Sequence, residues 1–333
     1  MYTKQEIIDM LLADGDAQGD LFREARRLRQ QSFGNGVVIR GVIEVTNICR
    51  INCDYCPMRR DNTFLNDTYI LSEARIVDTA YMLQECNINI VFLQGGEIPQ
   101  TTAVALKAIA AIKTLFAGNV EILLCLGIKS RQEYADLKQA GATSYILKHE
   151  TSDAFLHEQI RHESLRKRLQ AIEHLLSLGY KVGTGVIIGL PGQRLETIAD
   201  DLLLAANLGV HMASASPFVP AANTPLTGAA PGKISLTLNA IAASRLINPL
   251  WLIPAVSALQ QGAVDGQLAG LNAGANVLTI NFTPSVQQGQ YLIYGATRYR
   301  VTLNHVTELL SSTGLVARGS VWIPSIVGQD TQD

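Results

Sequence analysis

Charge is scarce in this chain of 333 residues: only 17% are Asp, Glu, Lys or Arg, and the net charge is −2. A near-neutral balance gives no electrostatic basis for binding nucleic acid or an anionic membrane surface. Aromatic residues make up 6% and only two are Trp. No uninterrupted apolar run reaches the roughly 20 residues that a membrane span needs. The start, Met1-Tyr2-Thr3-Lys4-Gln5-Glu6, lacks the basic and apolar segments of a signal peptide. A cytoplasmic location is therefore expected. Cysteines number five, and three of them crowd into eight residues, which reads as metal binding in a reducing compartment rather than a disulfide framework. Against these shortages stands a 47% hydrophobic content, enough for a large buried core.

No low-complexity tract and no Pro/Gly/Ser-rich linker divides the chain. Residues 3–13 and 18–31 read as helices, so residues 1–35 form an N-terminal helical extension to a domain over 36–325. From there short β-rich runs alternate with helix-period runs, the pattern of a parallel sheet with crossover helices. Eight strands are expected: Val38–Val45, Ile90–Leu93, Val120–Leu126, Ser144–Leu147, Val182–Ile188, Met212–Ser216, Trp251–Ala255 and Asn276–Asn281. Ser72 suits a helix N-cap, and Ser130-Arg131-Gln132-Glu133 has the form of a capping box with Gly141 as its stop. Further helices are expected at Leu165–Leu178, Leu195–Leu208, Ile234–Ile247 and Tyr299–Ser311. The fold class this predicts is α/β, a (β/α)8 TIM-type barrel behind the helical extension. A doubly wound open sheet with fewer strands is the alternative.

The crowded cysteines, Cys49, Cys53 and Cys56, follow the first strand in a Cys-x3-Cys-Asp-Tyr-Cys loop. Three thiolates can share one metal centre but cannot complete four-coordination. A structural zinc site closes with a fourth Cys or His, and none lies at short spacing here. In a barrel this loop falls on the C-terminal face, where function gathers. The second strand ends on that face in Gln94-Gly95-Gly96-Glu97, whose glycines let backbone groups approach a ligand. The fifth opens into Gly189-Leu190-Pro191-Gly192-Gln193.

With Tyr55 ahead of the third cysteine, the loop matches the Cys-x3-Cys-x-aromatic-Cys signature, and the chain resembles the radical S-adenosylmethionine (SAM) superfamily. That resemblance implies a [4Fe-4S] cluster on Cys49, Cys53 and Cys56, one iron of which stays open to the amino and carboxylate groups of SAM. It also implies reductive cleavage to a 5′-deoxyadenosyl radical, and a low-potential donor, a flavodoxin or ferredoxin. Gly95-Gly96-Glu97 looks like the family's glycine motif, whose backbone receives the methionine amino group. From about Phe33 to Leu315 the likeness is to the biotin synthase-like branch, which includes biotin synthase and methylornithine synthase. It is greatest to the HydE-type maturase of [FeFe]-hydrogenase, carried by His149-Glu150-Thr151, Gly189–Gln193, Asn223-Thr224-Pro225-Leu226 and Asn281-Phe282-Thr283-Pro284.

Position by position, the resemblance assigns Glu150 to the ribose hydroxyls of SAM and Arg168 to its carboxylate. Tyr55, Ile187 and Ile188 fall to the adenine end. Lys148, Ser257, Thr279 and Tyr291 become substrate contacts, with Tyr294 and Arg298 behind them. Ser144 and Lys148 stand where the HydE type has arginines, so shared radical chemistry on a different substrate is expected. Cys125, in Leu124-Cys125-Leu126-Gly127, is similar to a biotin synthase cysteine that holds an auxiliary cluster, but its partner cysteines are missing here. Cys86 reads as a buried hydrophobe, and His149, His211 and His305 as structural. The function expected is hydrogen abstraction from, or addition to, a small carboxylate-bearing molecule in cofactor biosynthesis or metallocofactor maturation. Sulfur insertion of the biotin or lipoyl synthase type is the alternative.

Overall fold

The computed structural model describes residues 2–260 and 265–323. The proposed boundary at residue 325 lies outside the described residues. Two helices open the chain, α1 (Lys4–Leu12) and α2 (Gly15–Phe33). Thr3 and Glu6 form a reciprocal capping box at the start of α1. The barrel follows as β1 (Gly36–Thr46), α3 (Glu73–Glu85), β2 (Ile90–Gly95), α4 (Gln100–Leu115), β3 (Glu121–Cys125), α5 (Arg131–Ala140) and β4 (Ser144–Ile146). Then come α6 (Ala154–Arg161), α7 (Leu165–Ser177), β5 (Lys181–Ile188), α8 (Leu195–Asn207), β6 (Met212–Pro217) and α9 (Ile234–Ile247). The last elements are α10 (Gly266–Asn272), β7 (Val277–Asn281), α11 (Ser285–Gln290), α12 (Leu303–Thr313) and β8 (Val316–Arg318). The lead-in helices are seated on the barrel: Lys4 pairs with Asp200 of α8 at 2.6 Å, and Asn239 of α9 donates to Leu11 and Ala13 carbonyls at 3.0 and 2.8 Å. Among the described residues no helix is long and apolar enough to cross a membrane.

The sheet is parallel throughout, in the order β6-β5-β4-β3-β2-β1-β7. The ring closes through residues 251–255, which make two single bridges, Leu252 to Met212 and Pro254 to Val277. A full strand was expected there. Pro254 has no N–H to give to a ladder, and pairing thins to bridges around it. An unforeseen strand, β8, pairs with the start of β1 at Gly36, Val37 and Val38. Helices α4, α10 and α11 were also not foreseen.

Strand alternation sorts the core into two layers. From β1, Val37, Ile39, Ile43 and Val45 face the helices, while Val38 and Val42 join Phe92, Leu123, Met212 and Leu252 inside the ring. Gly41 lies on the outer side, where a side chain would overlap Leu83 of α3. The chain beyond β8 crosses the lower mouth. Ser320 N–H donates to Asn89 Oδ1 at 3.0 Å and its hydroxyl reaches Glu121. Lys181 lies 5.1 Å over the Trp322 ring. Beside the bridging stretch, Trp251 is fully buried and donates Nε1–H to Val210 O at 2.8 Å. Trp251→Ala removes this packing and strands a buried carbonyl. It is expected to cost about 3–5 kcal/mol, read as a lower urea midpoint, and an unchanged midpoint would contradict this account of closure.

Candidate active site

Strand β1 delivers its loop to the upper rim, and short side chains pin it there. Thr46 Oγ1 donates to Tyr69 O at 2.6 Å and accepts from Ile48 N–H at 3.1 Å. Asn47 donates to Asp67 O at 2.8 Å and Gln290 O at 2.9 Å, and accepts from Tyr69 N–H at 2.9 Å. Between these anchors Cys56 N–H meets Cys53 O at 3.2 Å and Arg60 N–H meets Ile51 O at 3.0 Å, which coils the cysteine segment into turns. The Cys49 sulfur accepts two backbone N–H groups, from Ile51 at 3.4 Å and Glu97 at 3.3 Å. Cys53 is buried and Cys56 faces a cavity. Burial pushes both thiols above their ordinary pKa. Among the described residues, no three His, Cys, Asp or Glu side chains converge tightly enough to share a single metal ion.

The glycine turn after β2 touches this loop directly. Gly96 N–H donates to Thr46 O at 3.2 Å, and a Cβ on Gly96 would overlap Ile48 O. A Cβ on Gly95 would come within 2.8 Å of Val45 Cγ2. The Glu97 carboxylate is taken up by the protein, with Arg50 at 2.5 Å and Ile128 N–H at 2.9 Å. Glu97 thus serves this rim through its backbone and as an internal counter-ion.

A cavity of about 280 Å³ runs from Tyr55 and Cys56 down the lumen. Glu150 and Arg168 line its upper part. Glu150 has φ 65°, a left-handed backbone that costs a non-glycine residue energy. Hydrogen bonds from Glu150 N–H to Gly185 O (2.9 Å) and from Ile187 N–H to Glu150 O (3.0 Å) hold it. Ser152 N–H, just beyond, donates to Asp201, whose pKa burial pushes up to about 7. Arg168 Nε donates to Lys148 O at 2.7 Å, and its Nη1 lies 3.8 Å from Glu97. Arg168 Nη1 and Glu150 Oε2 are both buried without a protein hydrogen-bond partner.

Lower down, Lys148 reaches Ser216 Oγ at 3.3 Å. Burial opposes its charge, but the neighbouring Tyr294, Glu150 and Cys125 outweigh that and raise its pKa. Ser257, Thr279 and Cys125 also line the cavity. Cys125 stands opposite Gln94, and burial raises its thiol pKa. Two expected contacts fall elsewhere. Ile188 lies in the outer core, because strand parity turns Ile187 and not Ile188 toward the cavity. Tyr291 is buried behind the wall, its hydroxyl accepting from Gln94 Nε2 at 3.1 Å and its ring 5.4 Å beneath Arg298. Arg298 is no surface residue: it forms a two-pronged pair with Glu44 at 2.6 and 2.7 Å. Ser144 sits below the cavity, donating to Glu121 at 2.6 Å. The histidines have internal partners. His149 Nδ1 meets Thr184 Oγ1 at 2.8 Å, with its pKa lowered to about 4 by burial, His305 Nε2 meets Gln267 at 2.9 Å, and the His211 ring stands edge-on to Trp322.

Sequence reasoning missed Arg40 and Arg161. Arg40 lies inside the barrel, its Nε donating to Thr279 Oγ1 at 2.6 Å and its guanidinium 5.1 Å over Phe92. Burial lowers its pKa to about 10, which leaves it charged at neutral pH. Its signal was available, since Arg40 and Glu44 share the inward parity of β1. Gly96→Ala is expected to push the two rim loops apart and raise maleimide labelling of Cys49. Wild-type labelling would refute the contact's importance.

Residues 43–205 match the family described as the Radical SAM superfamily. The HydE subunit of the [FeFe] hydrogenase maturase from Thermotoga maritima is 36% identical over 275 residues, 82% of this chain and 78% of that protein. The 3-methylornithine synthase of Methanosarcina acetivorans is 27% identical over 263 residues, 78% and 73% of the two chains. Among solved structures, methylornithine synthase (PylB) superposes with a TM-score of 0.83 at 25% identity, covering 95% of this chain and 94% of that one. The HydG maturase from Carboxydothermus hydrogenoformans shares the fold, with a TM-score of 0.79 at 21% identity over 95% and 76% of the chains. By its sequence relatives and its barrel, the chain belongs to the radical SAM superfamily of enzymes.

Proposed function

We propose that this enzyme works on a small carboxylate-bearing molecule in cofactor biosynthesis or metallocofactor maturation, in the manner of the HydE type. The supporting observation is one cavity lined by Cys56, Arg168 and Glu150 and by the buried Arg40 and half-buried Lys148. Cys49, Cys53 and Cys56 would hold a [4Fe-4S] cluster, for which three free cysteine sulfurs on one loop and the two backbone N–H groups at Cys49 are suited. That cluster with SAM supplies one-electron cleavage of the sulfonium, giving methionine and a 5′-deoxyadenosyl radical.

The chain's own residues do the rest by binding and exclusion. Arg168 offers a donor to the SAM carboxylate, and Glu150 an acceptor to the ribose hydroxyls. The Gly95-Gly96 turn brings backbone close enough to take the amino group. Tyr55 and Ile187 flank the adenine, packed with Leu190 and Phe218. Below, Arg40 and Lys148 receive a substrate carboxylate, and Ser257 and Thr279 orient it. The lumen's lower apolar layer and the crossing of residues 319–322 shield the radical from solvent. A flavodoxin or ferredoxin would supply the electron. Cys125 in the cavity wall favours a second reading, sulfur insertion, for which iron and sulfide beyond one cluster would be required.

Anaerobic reconstitution is expected to give four irons and four sulfides per chain, and 5′-deoxyadenosine from SAM under reduction. Alanine at Cys49, Cys53 or Cys56 should abolish both. A single zinc, or cleavage without the thiols, would refute the reading, and more than four irons would favour sulfur insertion. A thermal-shift series of small mono- and dicarboxylates tests the lower site. Arg40→Met and Lys148→Met should each weaken the best ligand about 10- to 100-fold, as expected for losing a hydrogen bond to a charged group. Equal affinity in all three proteins would remove these residues from substrate binding.

A further inference from the structure

Arg161 has no part in the roles above, yet it is a buried cation at the point where the cysteine loop meets the Glu150 turn. It is the last residue of α6, which ends as His162 takes the left-handed conformation. Its Nη1 donates to Tyr55 Oη at 2.9 Å and lies 3.7 Å from Glu150 Oε1, and its Nη2 lies 3.5 Å from Glu163. Helix α6 does not need this side chain for its seat. Leu156 and Ile160 pack it, Asp153 caps it with two N–H bonds of 3.0 Å, and Ile160 O accepts Asp54 N–H at 2.8 Å.

A buried guanidinium is costly unless its partners are well placed. Here the partners are two carboxylates and a phenol drawn from three separate segments. Tyr55 Oη also lies 3.4 Å from Glu150 Oε1, so phenol, carboxylate and guanidinium form a closed triangle. Glu150 Oε1 is committed to that triangle, and Oε2 is the atom left over. The triangle thereby fixes how the Glu150 carboxylate is turned beside the cavity.

We propose that Arg161 is a positioning residue that locks Tyr55 to Glu150, so that the thiol-bearing loop and the acceptor for the cosubstrate's ribose keep one fixed relation. This rests on the reading that Glu150 and Tyr55 meet SAM. Removing the guanidinium leaves Glu150 as a buried carboxylate without its counter-ion, free to turn its second oxygen away. Lysine would keep the charge but could not fork between Tyr55 and Glu163.

The test uses reconstituted holoenzyme and SAM itself as probe. Iron and sulfide content and thermal midpoint are measured, and the SAM-induced change in the EPR spectrum of the reduced cluster is titrated. Arg161→Gln is expected to keep its iron while needing about 10- to 100-fold more SAM for the half-maximal change. Arg161→Lys should fall between Gln and wild type, and Tyr55→Phe should give a smaller shift in the same direction. Saturation at wild-type SAM concentration in Arg161→Gln would overturn the proposal. If Arg161→Gln loses its iron, Arg161→Lys decides: weakened SAM binding with iron intact supports the role, and wild-type binding ends it. A wild-type spectrum indifferent to SAM would defeat the SAM reading itself, an outcome distinct from failure of Arg161 alone.

Discussion

The loops that leave β1 and β2 meet backbone against backbone at Gly96 and Ile48, an approach that a side chain at position 96 would block. Strands β1 and β2 pair in register from Gly41 and Val91 to Glu44 and Gln94, so both loops leave the sheet at one height. That height is the C-terminal rim, where barrels of this kind carry their chemistry. The contact presents Glu97 N–H to the Cys49 sulfur and sends the Glu97 carboxylate to Arg50 and Ile128 N–H. Through Ile128 the loop after β3 joins the same rim. Arg168, from α7, then approaches Glu97 and Lys148 O. The bare backbone at position 96 thus joins Thr46, Asn47 and the Asp54–Ile160 bond in fixing the thiol loop above the cavity.

What could be read in advance follows from how local each signal is. The cysteine loop and the Gly-Gly-Glu turn are contiguous segments whose chemistry needs no distant partner, and their placement at strand ends follows from βα alternation. Ser72 and Ser130 cap their helices as expected, each accepting the N–H three residues on. The missed residues take their meaning from partners far along the chain. Arg161 meets Tyr55 across 106 residues, Arg40 meets Thr279 across 239, and Glu44 meets Arg298 across 254. Ile187 and Ile188 differ only in parity, and parity needs a strand register that an apolar run buried on both faces does not reveal. The stretch around Pro254 looked like a strand by composition, and its missing donor was the clue to its thinner pairing.

A chain with so few charges still places several of them inside its barrel, and the pairing of those charges is uneven. Glu44 and Arg298 match prong to prong, so their pair is complete within the protein and serves as wall. Glu121 is satisfied at the floor by Ser144 and Ser320. Arg40 has a hydroxyl and an aromatic face but no carboxylate in contact among the described residues. Desolvation works against its charge, enough to lower its pKa while leaving it ionised. Lys148, against the hydroxyl of Ser216, keeps its charge because the groups around it outweigh its burial.

An apolar residue at position 40 would pack the lumen at lower cost, since buried charge without a close counter-ion is destabilising. Stability alone therefore gives no reason for Arg40, and a carboxylate guest of the proposed kind would supply the compensation it lacks, whereas Lys148 is already compensated by its neighbours. A neutral or cationic guest would leave or worsen the imbalance. The same reasoning separates the levels of the cavity. On the proposed reading, its upper end, lined by Arg168 and Glu150, would suit a zwitterionic cosubstrate bearing hydroxyls. Its lower end offers cations and hydroxyls, which suits carboxylate. On the proposed reading, the two ends of one lumen would then tell cosubstrate from substrate by charge.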